Sequence, residues 1–490
     1  MQAASRDPLF AIAAAVASLA GWSVLSASAD ASPSGRPPNI VYIIADDQAY
    51  RDFGFMGNGR VHTPHLDALA ARSARFVNGY VPASVCRPSL VTMLTGLYPH
   101  EHGITFNHGP PGNAAYNRMT SRAEYERVRS AEFALIRRVA TLPRVLAKEL
   151  GYRCLQTGKF WEGHWSNAGF TEGMTTFEPP PEDQTFGGAR TLAGGQRVAH
   201  GNGDAGLQIG RRTMRPIESF LDECLAEDVP WLVWYAPFLP HQPHDSPPRF
   251  YELAGRRPGV RPHELPYYAA IAEFDETVGT LVRMVEQRGM ATRTLFVFVS
   301  DNGWAPSHEP ERSRPEEFAH TRESKRAPFD DGLRTPILIR WEGVAKPGTH
   351  AALVSSVDLV ATLLAAAGAE RHWDGPLSGM DLMPVARGET VADADRAIFG
   401  EIYPGDASTL DDPAADIAYR WARRGDYKLI VPHLHRGSGR PWGGYLPDGN
   451  AALFDLRRDP AETRNVIDDH PEIAAALRSR LDAWWDPDHD

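Results

Sequence analysis

The sequence predicts an α/β protein in which helices cover both faces of a large, mostly parallel or mixed β-sheet, followed along the chain by a smaller α+β subdomain. Two observations predict the main sheet: nearly continuous apolar runs recur along the chain, and segments with helical periodicity separate them. A third observation, the change to short strand-and-turn patterns after about residue 388, predicts the subdomain. A chain of 490 residues is long enough for both units.

The main domain is predicted to span residues 30–387, with strands and helices in alternation. Its predicted strands begin the segments NIVYIIADD (39–47), RCLQTGKFW (153–161), WLVWYAPFLPHQPH (231–244), TLFVFVSDNG (294–303) and TPILIRW (335–341). The second strand runs into Gly158-Lys159 and the third into a proline-rich loop. Its predicted helices are TPHLDALAARSARF (63–76), LPRVLAKELGY (142–152), YYAAIAEFDETVGTLVRMVEQRG (267–289) and SSVDLVATLLAAAG (355–368). Residues 103–140 and 160–215 are predicted to be long, loop-rich segments that shape a pocket.

The subdomain is predicted to span residues 388–490. Three segments predict a small antiparallel sheet, RAIFGEIYP (396–404), YRWARRGDYKLIVPH (419–433) and ALFDLRRDP (452–460). The segment HPEIAAALRSRLDAWW (470–485) predicts a terminal helix.

Residues 1–29 predict a signal peptide. Arg6 precedes an apolar run over 9–25, and small residues end the segment at Ala29. A membrane anchor is the alternative, but the run is interrupted at Gly21 and is short for a bilayer span. We therefore predict cleavage near Ala29, export to the periplasm or the medium, and no stable membrane span.

Charge and cysteine content exclude two classes of protein. The net charge is −11 and no long Lys/Arg cluster is present, so a nucleic-acid partner is not expected. The three cysteines, Cys86, Cys154 and Cys224, are too few for a disulfide scaffold, and an odd number leaves at least one unpaired. Whether Cys154 pairs with Cys224 stays open at this point.

Polar side chains follow four of the predicted strands. They are Asp46-Asp47, Lys159, His241 and Asp301-Asn302. Because the carboxyl ends of parallel strands meet at one edge of a sheet, these side chains are expected to converge there. The carboxylate and amide oxygens suit a hard cation, Ca²⁺ or else Mg²⁺, rather than zinc. The alternative is that Asp46-Asp47 is only a solvated strand end.

Cys86 lies between a turn and a short helix predicted to open at Pro88-Ser89. The N-terminus of a helix favours an anion or an anionic transition state. A buried structural thiol is one alternative. A thiolate protease is another, but no neighbouring His–Asn arrangement supports it.

The stretch VCRPSLVTMLTGLYPHEHG (85–103) resembles the signature of the sulfatase family, in which Cys-x-Pro-Ser-Arg precedes a helix ending in Thr-Gly. PNIVYIIADDQ, TGKFW, PHQPH, SDNG, KRAPFDDGLRTP and LFDLRRDPAETRNV follow the family order over residues 39–466. The resemblance implies hydrolysis of sulfate monoesters by formylglycine, which a formylglycine-generating or other maturing enzyme makes from Cys86. One hydroxyl of the hydrated aldehyde attacks sulfur, and the other then expels sulfate.

The resemblance also implies a role for each matching residue. Asp46, Asp47, Asp301, Asn302 and modified Cys86 are implied to bind one Ca²⁺ ion, and Asp301 to assist deprotonation of the nucleophile. Lys159 is implied to contact sulfate and formylglycine, and His241 to be a proton donor or sulfate ligand. Lys325, nine residues before Arg334, is implied to contact sulfate near the leaving group, and Arg334 is assigned to substrate binding.

Two positions depart from the family pattern. Leu90 stands where the signature has arginine, and we hypothesise that Arg87 takes over that role. Trp161 stands where the family commonly has a histidine, and His164 is the nearest histidine after it, so we assign both to substrate binding. The expected substrate is a sulfated small molecule or carbohydrate. The alternatives are a phosphonate or phosphate monoester hydrolase on the same scaffold, and an inactive sulfatase-like binding protein.

Overall fold

The computed structural model of the protein describes residues 35–184, 186–305, 322–391, 393–433, 442–446 and 448–489. The predicted signal peptide, residues 1–29, lies outside these ranges. Within them, no helix has both the length and the apolar character needed to cross a bilayer.

An eight-stranded mixed sheet forms the centre of the fold, with the strand order β10-β2-β9-β8-β1-β7-β3-β4. The strands of the described residues are β1 Asn39–Ala45, β2 Ala74–Tyr80, β3 Arg153–Gly158, β4 Glu172–Gly173, β5 Ala189–Thr191, β6 Arg197–Ala199, β7 Trp231–Ala236, β8 Thr294–Ser300, β9 Arg334–Arg340, β10 Gly348–Ser355, β11 Ala397–Ile402, β12 Tyr419–Arg424, β13 Tyr427–Pro432 and β14 Ala452–Asp455. In this sheet β9 runs antiparallel to β2 and β8, and the other neighbours are parallel. The predicted mostly parallel or mixed sheet is confirmed.

Helices pack on both faces of this sheet. The α-helices of the described residues are α1 Pro64–Ala71, α2 Cys86–Thr95, α3 Pro99–His102, α4 Asn113–Arg118, α5 Arg122–Phe133, α6 Leu142–Leu150, α7 Arg215–Glu227, α8 Pro248–Gly255, α9 Leu265–Gln287, α10 Asp330–Leu333, α11 Asp358–Ala367, α12 Met383–Ala386 and α13 Pro471–Trp484. Successive side chains of β1 point to opposite faces: Tyr42 joins a core with Val91 of α2, and Val41 joins a core with Phe274 of α9. The near-continuous apolar runs follow from this two-sided burial.

The C-terminal part contains a four-stranded antiparallel sheet in the order β11-β12-β13-β14. Helix α13 packs on it through Leu477 and Leu481, which share a core with Leu429 and Leu453. The predicted small antiparallel sheet and terminal helix are confirmed.

Three local predictions were wrong. Helix α2 begins at Cys86 rather than at Pro88, and α4 and α5 lie where a loop-rich segment was predicted. The helix predicted over 63–76 ends at Ala71, and β2 begins at Ala74. Strand β2 is hard to predict because it contains Gly79, where an added Cβ would lie 2.5 Å from the carbonyl oxygen of Thr335 on β9.

Candidate active site

The two acidic strand ends lie side by side because β1 and β8 are parallel neighbours, with Ala45 opposite Ser300. The backbone N–H of Asp301 donates to the Ala45 carbonyl at 2.9 Å. In return, the backbone N–H of Asp47 donates to Asp301 Oδ1 at 3.0 Å. Asp47 is held in the left-handed region, with φ of 62°. These contacts set the carboxylates that follow both strands at one edge of the sheet.

Lys159 is placed by a close approach of two strands. Gly158 ends β3 with φ of +76°, and a Cβ on it would lie 1.9 Å from the Ala236 carbonyl oxygen. The backbone N–H of Lys159 donates to that same carbonyl at 2.6 Å. Only glycine fits at position 158, so the Gly-Lys pair follows from the geometry of the turn.

Cys86 reaches this edge as the first residue of α2. Its Sγ lies 3.5 Å from Lys159 Nζ and 3.9 Å from Asp47 Oδ1. Lys159 Nζ also donates to Asp46 Oδ2 at 2.6 Å. The thiol is buried, with a relative exposure of 1%. The structure therefore brings the signature cysteine, a lysine and both aspartates of β1 together.

Three further polar groups converge on the carboxylate of Asp47. Lys325 Nζ lies 2.6 Å from Oδ1 and 2.8 Å from Oδ2. Asn302 Nδ2 donates to Oδ1 at 2.7 Å, and His241 Nε2 lies 3.4 Å from Oδ2. Residues from four distant stretches of the chain thus meet at one carboxylate.

The loop that carries His241 is braced by Arg211, a residue that belongs to no recognisable sequence motif. The Arg211 guanidinium donates to the carbonyl oxygens of Phe238 at 2.8 Å, His241 at 3.1 Å and Pro243 at 3.0 Å. The His241 ring stacks on Phe238 with ring centroids 4.2 Å apart. This bracing fixes the position of the imidazole.

Burial and neighbouring charges set the protonation of the site. Burial raises the pKa of the Cys86 thiol to about 12, so at neutral pH the residue is a thiol and not the thiolate that a cysteine protease needs. Burial lowers the pKa of His241 to about 4. Burial opposes ionisation of Asp47, but the protonated form of His241, together with the charges of Lys325 and Lys159, holds its pKa well below the usual range. The pKa of Asp301 is raised well above its usual value, by burial and then by the charge of Asp46.

The donor set fits a hard cation. Ligand atoms of Asp46, Asp47, Cys86 and His241 all lie within 4.8 Å of one another. Three buried oxygens beside them accept no hydrogen bond from any residue that the structure describes: Asp46 Oδ1, Asp301 Oδ2 and Asn302 Oδ1. Buried carboxylate and amide oxygens without a donor are costly, and a cation with oxygen ligands satisfies them together.

The structure places Arg87 in a buried ion-pair network. Its Nε and one terminal nitrogen donate to Glu162, both at 2.8 Å, and the other terminal nitrogen donates to Glu132 at 2.8 Å. The guanidinium is therefore committed to two carboxylates. In the described part of the chain it has no contact with Cys86 Sγ that would support the hypothesis that it replaces the signature arginine, and Leu90 is buried in α2.

The three residues assigned to substrate binding are found in different places. His164 Nδ1 lies 2.8 Å from Ser166 Oγ, on a partly exposed turn. Arg334 donates to the Val77 carbonyl at 3.1 Å and to Asn78 Oδ1 at 2.7 Å. Trp161 is buried, two residues after Lys159. Trp161 is the nearest of the three to Lys159 along the chain, and the assignments of His164 and Arg334 to substrate binding stay predictions.

Cys154 and Cys224 are both buried and both free, so they do not form the disulfide left open above. They belong to the cores on opposite faces of the main sheet.

Comparisons with known proteins agree with this geometry. The family model described as Sulfatase matches residues 38–369, and the model described as N-sulphoglucosamine sulphohydrolase, C-terminal, matches residues 319–485. Arylsulfatase A of Homo sapiens is 29% identical over 492 residues, which cover 93% of this chain and 89% of that protein.

Solved structures share the fold over almost the whole chain. Ps i-CgsB, also solved with k-i-k-neocarrahexaose, has a TM-score of 0.64 at 20% identity and covers 92% of this chain and 93% of its own. BT4656, solved with its substrate D-glucosamine-2-N,6-O-disulfate, has a TM-score of 0.63 at 18% identity and covers 91% and 97%. Because the first family model matches well over half of the chain, and does so across Cys86 and the residues around it, this protein belongs to the sulfatase family, whose enzymes hydrolyse sulfate esters.

Proposed function

We propose that the protein hydrolyses sulfate monoesters of sulfated carbohydrates through a formylglycine formed at Cys86, with one Ca²⁺ ion held by Asp46, Asp47, Asp301 and Asn302. One observation carries the proposal: Cys86 Sγ lies 3.5 Å from Lys159 Nζ and 3.9 Å from Asp47 Oδ1, beside three buried oxygens that lack a donor among the described residues. A nucleophile position, a cation and a cationic lysine are the parts that transfer of a sulfuryl group requires.

The positive groups suit an anionic ester. Lys159 is buried and Lys325 is partly buried, and neighbouring carboxylates keep the pKa of each above its usual value although burial opposes this. Both ammonium groups are therefore charged at neutral pH. Residue 86 is also the first residue of α2, where the helix dipole favours negative charge. Together these groups stabilise the charge on the sulfate oxygens as the S–O bond breaks.

His241 and Lys325 divide the proton transfers between them. His241 Nδ1 lies 2.6 Å from the carbonyl oxygen of Gln242, which can only accept, so the proton of neutral His241 is on Nδ1. Its Nε2 is then an acceptor facing the site, so we assign it the proton of the attacking hydroxyl, in place of the donor role that the resemblance implied for His241 and the deprotonation that it implied for Asp301. Lys325 carries a proton at neutral pH and donates it to the leaving oxygen of the ester.

Formylglycine, once formed, supplies a hydrated aldehyde as the nucleophile, and the cation when bound lowers the pKa of the attacking hydroxyl. The unmodified thiol, with a pKa of about 12, is a poor nucleophile, which supports a need for a maturing enzyme. Export after cleavage near Ala29 is part of the proposal. The carbohydrate substrate is supported by Ps i-CgsB and BT4656, whose solved complexes contain sugars.

The test is made on protein from its own host or co-produced with a formylglycine-generating enzyme. Peptide masses across Cys86 report the modification, and sulfate release from 4-nitrophenyl sulfate and from sulfated monosaccharides reports the activity. Formylglycine with sulfate release, both lost in Cys86→Ala, is the expected result. Turnover of phenylphosphonate or phosphate monoesters in preference to sulfates would replace the proposal with the phosphonate or phosphate hydrolase. Modified protein without turnover of any ester would favour the inactive binding protein.

A further inference from the structure

Three aromatic rings cluster beside the candidate active site. The rings of His108, Trp161 and His200 contact one another edge to face, with centroid distances of 5.5 Å for His108–Trp161, 5.6 Å for His108–His200 and 5.6 Å for Trp161–His200. We call these residues the three-ring cluster. They come from three separate segments, the loop after α3, the turn after β3 and the end of β6.

Each ring of the three-ring cluster has a polar atom that finds no partner among the described residues. Trp161 Nε1, His108 Nε2 and His200 Nδ1 are buried and make no hydrogen bond with any residue in the described ranges. The relative exposure is 4% for Trp161 and 6% for His108. Buried polar atoms are nearly always paired in native proteins, so three unpaired atoms on neighbouring rings indicate a ligand.

Asp406 determines which hydrogen bond His108 can make. His108 Nδ1 lies 3.1 Å from Asp406 Oδ1, so the ring donates from Nδ1 and Nε2 is left as an acceptor. Burial lowers the pKa of His108 to about 4, which keeps the ring neutral. Trp161 Nε1, in contrast, can only donate. The three-ring cluster thus offers a donor and an acceptor on adjacent rings.

Two of the three rings lie close along the chain to residues that contact Cys86 or Arg87. Trp161 is two residues after Lys159, whose ammonium contacts Cys86 Sγ. His108 follows Asn107, whose Oδ1 accepts a hydrogen bond of 3.0 Å from the backbone N–H of Arg87. The cluster is therefore carried by the two loops whose neighbouring residues, Lys159 and Asn107, contact Cys86 and Arg87.

We propose that the three-ring cluster is a hydroxyl-recognition subsite, which binds one hydroxyl or two neighbouring hydroxyls of the sugar ring that carries the sulfate. This inference rests on the proposed function. The subsite would let the enzyme distinguish a sugar sulfate, which has hydroxyls beside the ester, from an aryl sulfate without hydroxyls. A hydroxyl both accepts, here from Trp161 Nε1, and donates, here to His108 Nε2. A carboxylate or second sulfate cannot donate, and an aryl ring without hydroxyls leaves the buried atoms unpaired.

The preference for sugar sulfates over aryl sulfates should be large, because a site built to hydrogen-bond a hydroxyl rejects analogues that lack it. The test compares wild type with Trp161→Phe, which keeps an aromatic ring and removes the N–H group. The matched control is Trp165→Phe, because Trp165 packs against the partly exposed His164 ring, outside the cluster. For each protein kcat/KM is measured on 4-nitrophenyl sulfate and on a panel of sulfated hexoses.

We expect Trp161→Phe to lower the sugar-to-aryl ratio of kcat/KM at least tenfold, and Trp165→Phe to keep that ratio within about twofold. An equal loss on both substrates, or an unchanged ratio, would overturn the subsite. Wild type that turns over 4-nitrophenyl sulfate but no sulfated hexose would also overturn it, while the sulfatase activity stands.

A wild type inactive on both substrates would instead count against the proposed function. In that case calorimetric titration of the protein with the same sulfated hexoses decides the subsite. At least fivefold weaker binding by Trp161→Phe than by wild type and Trp165→Phe supports it. Equal binding by all three proteins, or no binding by wild type, overturns it.

Discussion

Lys325 Nζ lies within hydrogen-bonding distance of both carboxylate oxygens of Asp47, at 2.6 Å and 2.8 Å. The residues are 278 positions apart in the chain; Asp47 is buried and Lys325 partly buried, with side-chain exposures of 3% and 10%. The pair fixes the lysine that the proposed mechanism uses as proton donor. It also neutralises a carboxylate that lies next to Cys86.

Replacing Lys325 by methionine is expected to lower kcat on a sulfated hexose at least 100-fold, because the sugar alkoxide is a poor leaving group and general-acid catalysis is worth about 10²–10⁴-fold. The measurement is steady-state kinetics on protein whose formylglycine content has been checked by mass spectrometry. Lys346→Met is the control, since Lys346 is exposed. Activity within a few-fold of wild type in Lys325→Met would contradict the role of Lys325.

Gly158→Ala is expected to abolish the folded site. The added Cβ would lie 1.9 Å from the Ala236 carbonyl oxygen, a backbone atom that cannot move aside, at a φ of +76°. Gly151→Ala is a matched control, since Gly151 has φ of +69° but no atom within 4 Å of the added Cβ. Gly151→Ala should lower the free energy of unfolding by about 1 kcal/mol, because alanine is less stable than glycine at a positive φ. Calorimetric melting temperatures should fall far more for Gly158→Ala, and equal falls would contradict the steric argument.

The convergence of polar side chains could be predicted from the sequence, because Asp46, Lys159, His241 and Asp301 each follow an apolar run that is recognisable as a buried strand. The contacts that hold these residues in place could not be predicted from the sequence. Arg211, which braces His241, and Asp406, which pairs with His108, reach their partners across 30 and 298 positions of the chain. Such pairs follow from tertiary packing and leave no periodic signal in the sequence.

The same reasoning explains the start of α2. The sequence predicted that this helix opens at Pro88-Ser89, since proline is favoured in the first turn of a helix. In the fold the backbone N–H of Arg87 is satisfied by Asn107 Oδ1, at 3.0 Å, so the helix starts at Cys86. This cap comes from a residue 20 positions away, which the local sequence does not reveal.

Arg87→Met is expected to destabilise the protein rather than to act selectively on catalysis. It leaves the carboxylates of Glu132 and Glu162 buried without the guanidinium that both contact, a change that costs about 3–5 kcal/mol in buried ion pairs. Urea unfolding measures the loss. Adding Glu162→Gln to Arg87→Met should recover part of it. Unchanged stability together with lost turnover would instead favour the hypothesis that Arg87 replaces the signature arginine.

Calcium is expected to raise the melting temperature of the protein, because a ligand that binds only the folded state stabilises it. Asn302→Ala removes one of the three buried oxygens that lack a donor among the described residues, and should reduce the shift. Asn78→Ala serves as control, because Asn78 bonds Arg334 and the Ala351 carbonyl away from these oxygens. Calorimetry with Ca²⁺ and after chelation makes the measurement. The same shift in Asn302→Ala as in wild type would contradict the ligand assignment.

The pH profile of kcat/KM is expected to lack an acid limb near pH 6.5, the ordinary pKa of histidine. Burial lowers the pKa of His241 to about 4, with Asp47 opposing the shift, so the ring stays neutral and its Nε2 stays an acceptor down to that pH. Activity should therefore fall only as pH drops through about 4, where His241 gains a proton. His241→Gln should lower kcat/KM and remove this limb. A limb near 6.5 that disappears in His241→Gln would show that the ring is solvated and charged at mildly acidic pH, and would transfer the role of proton acceptor to another group.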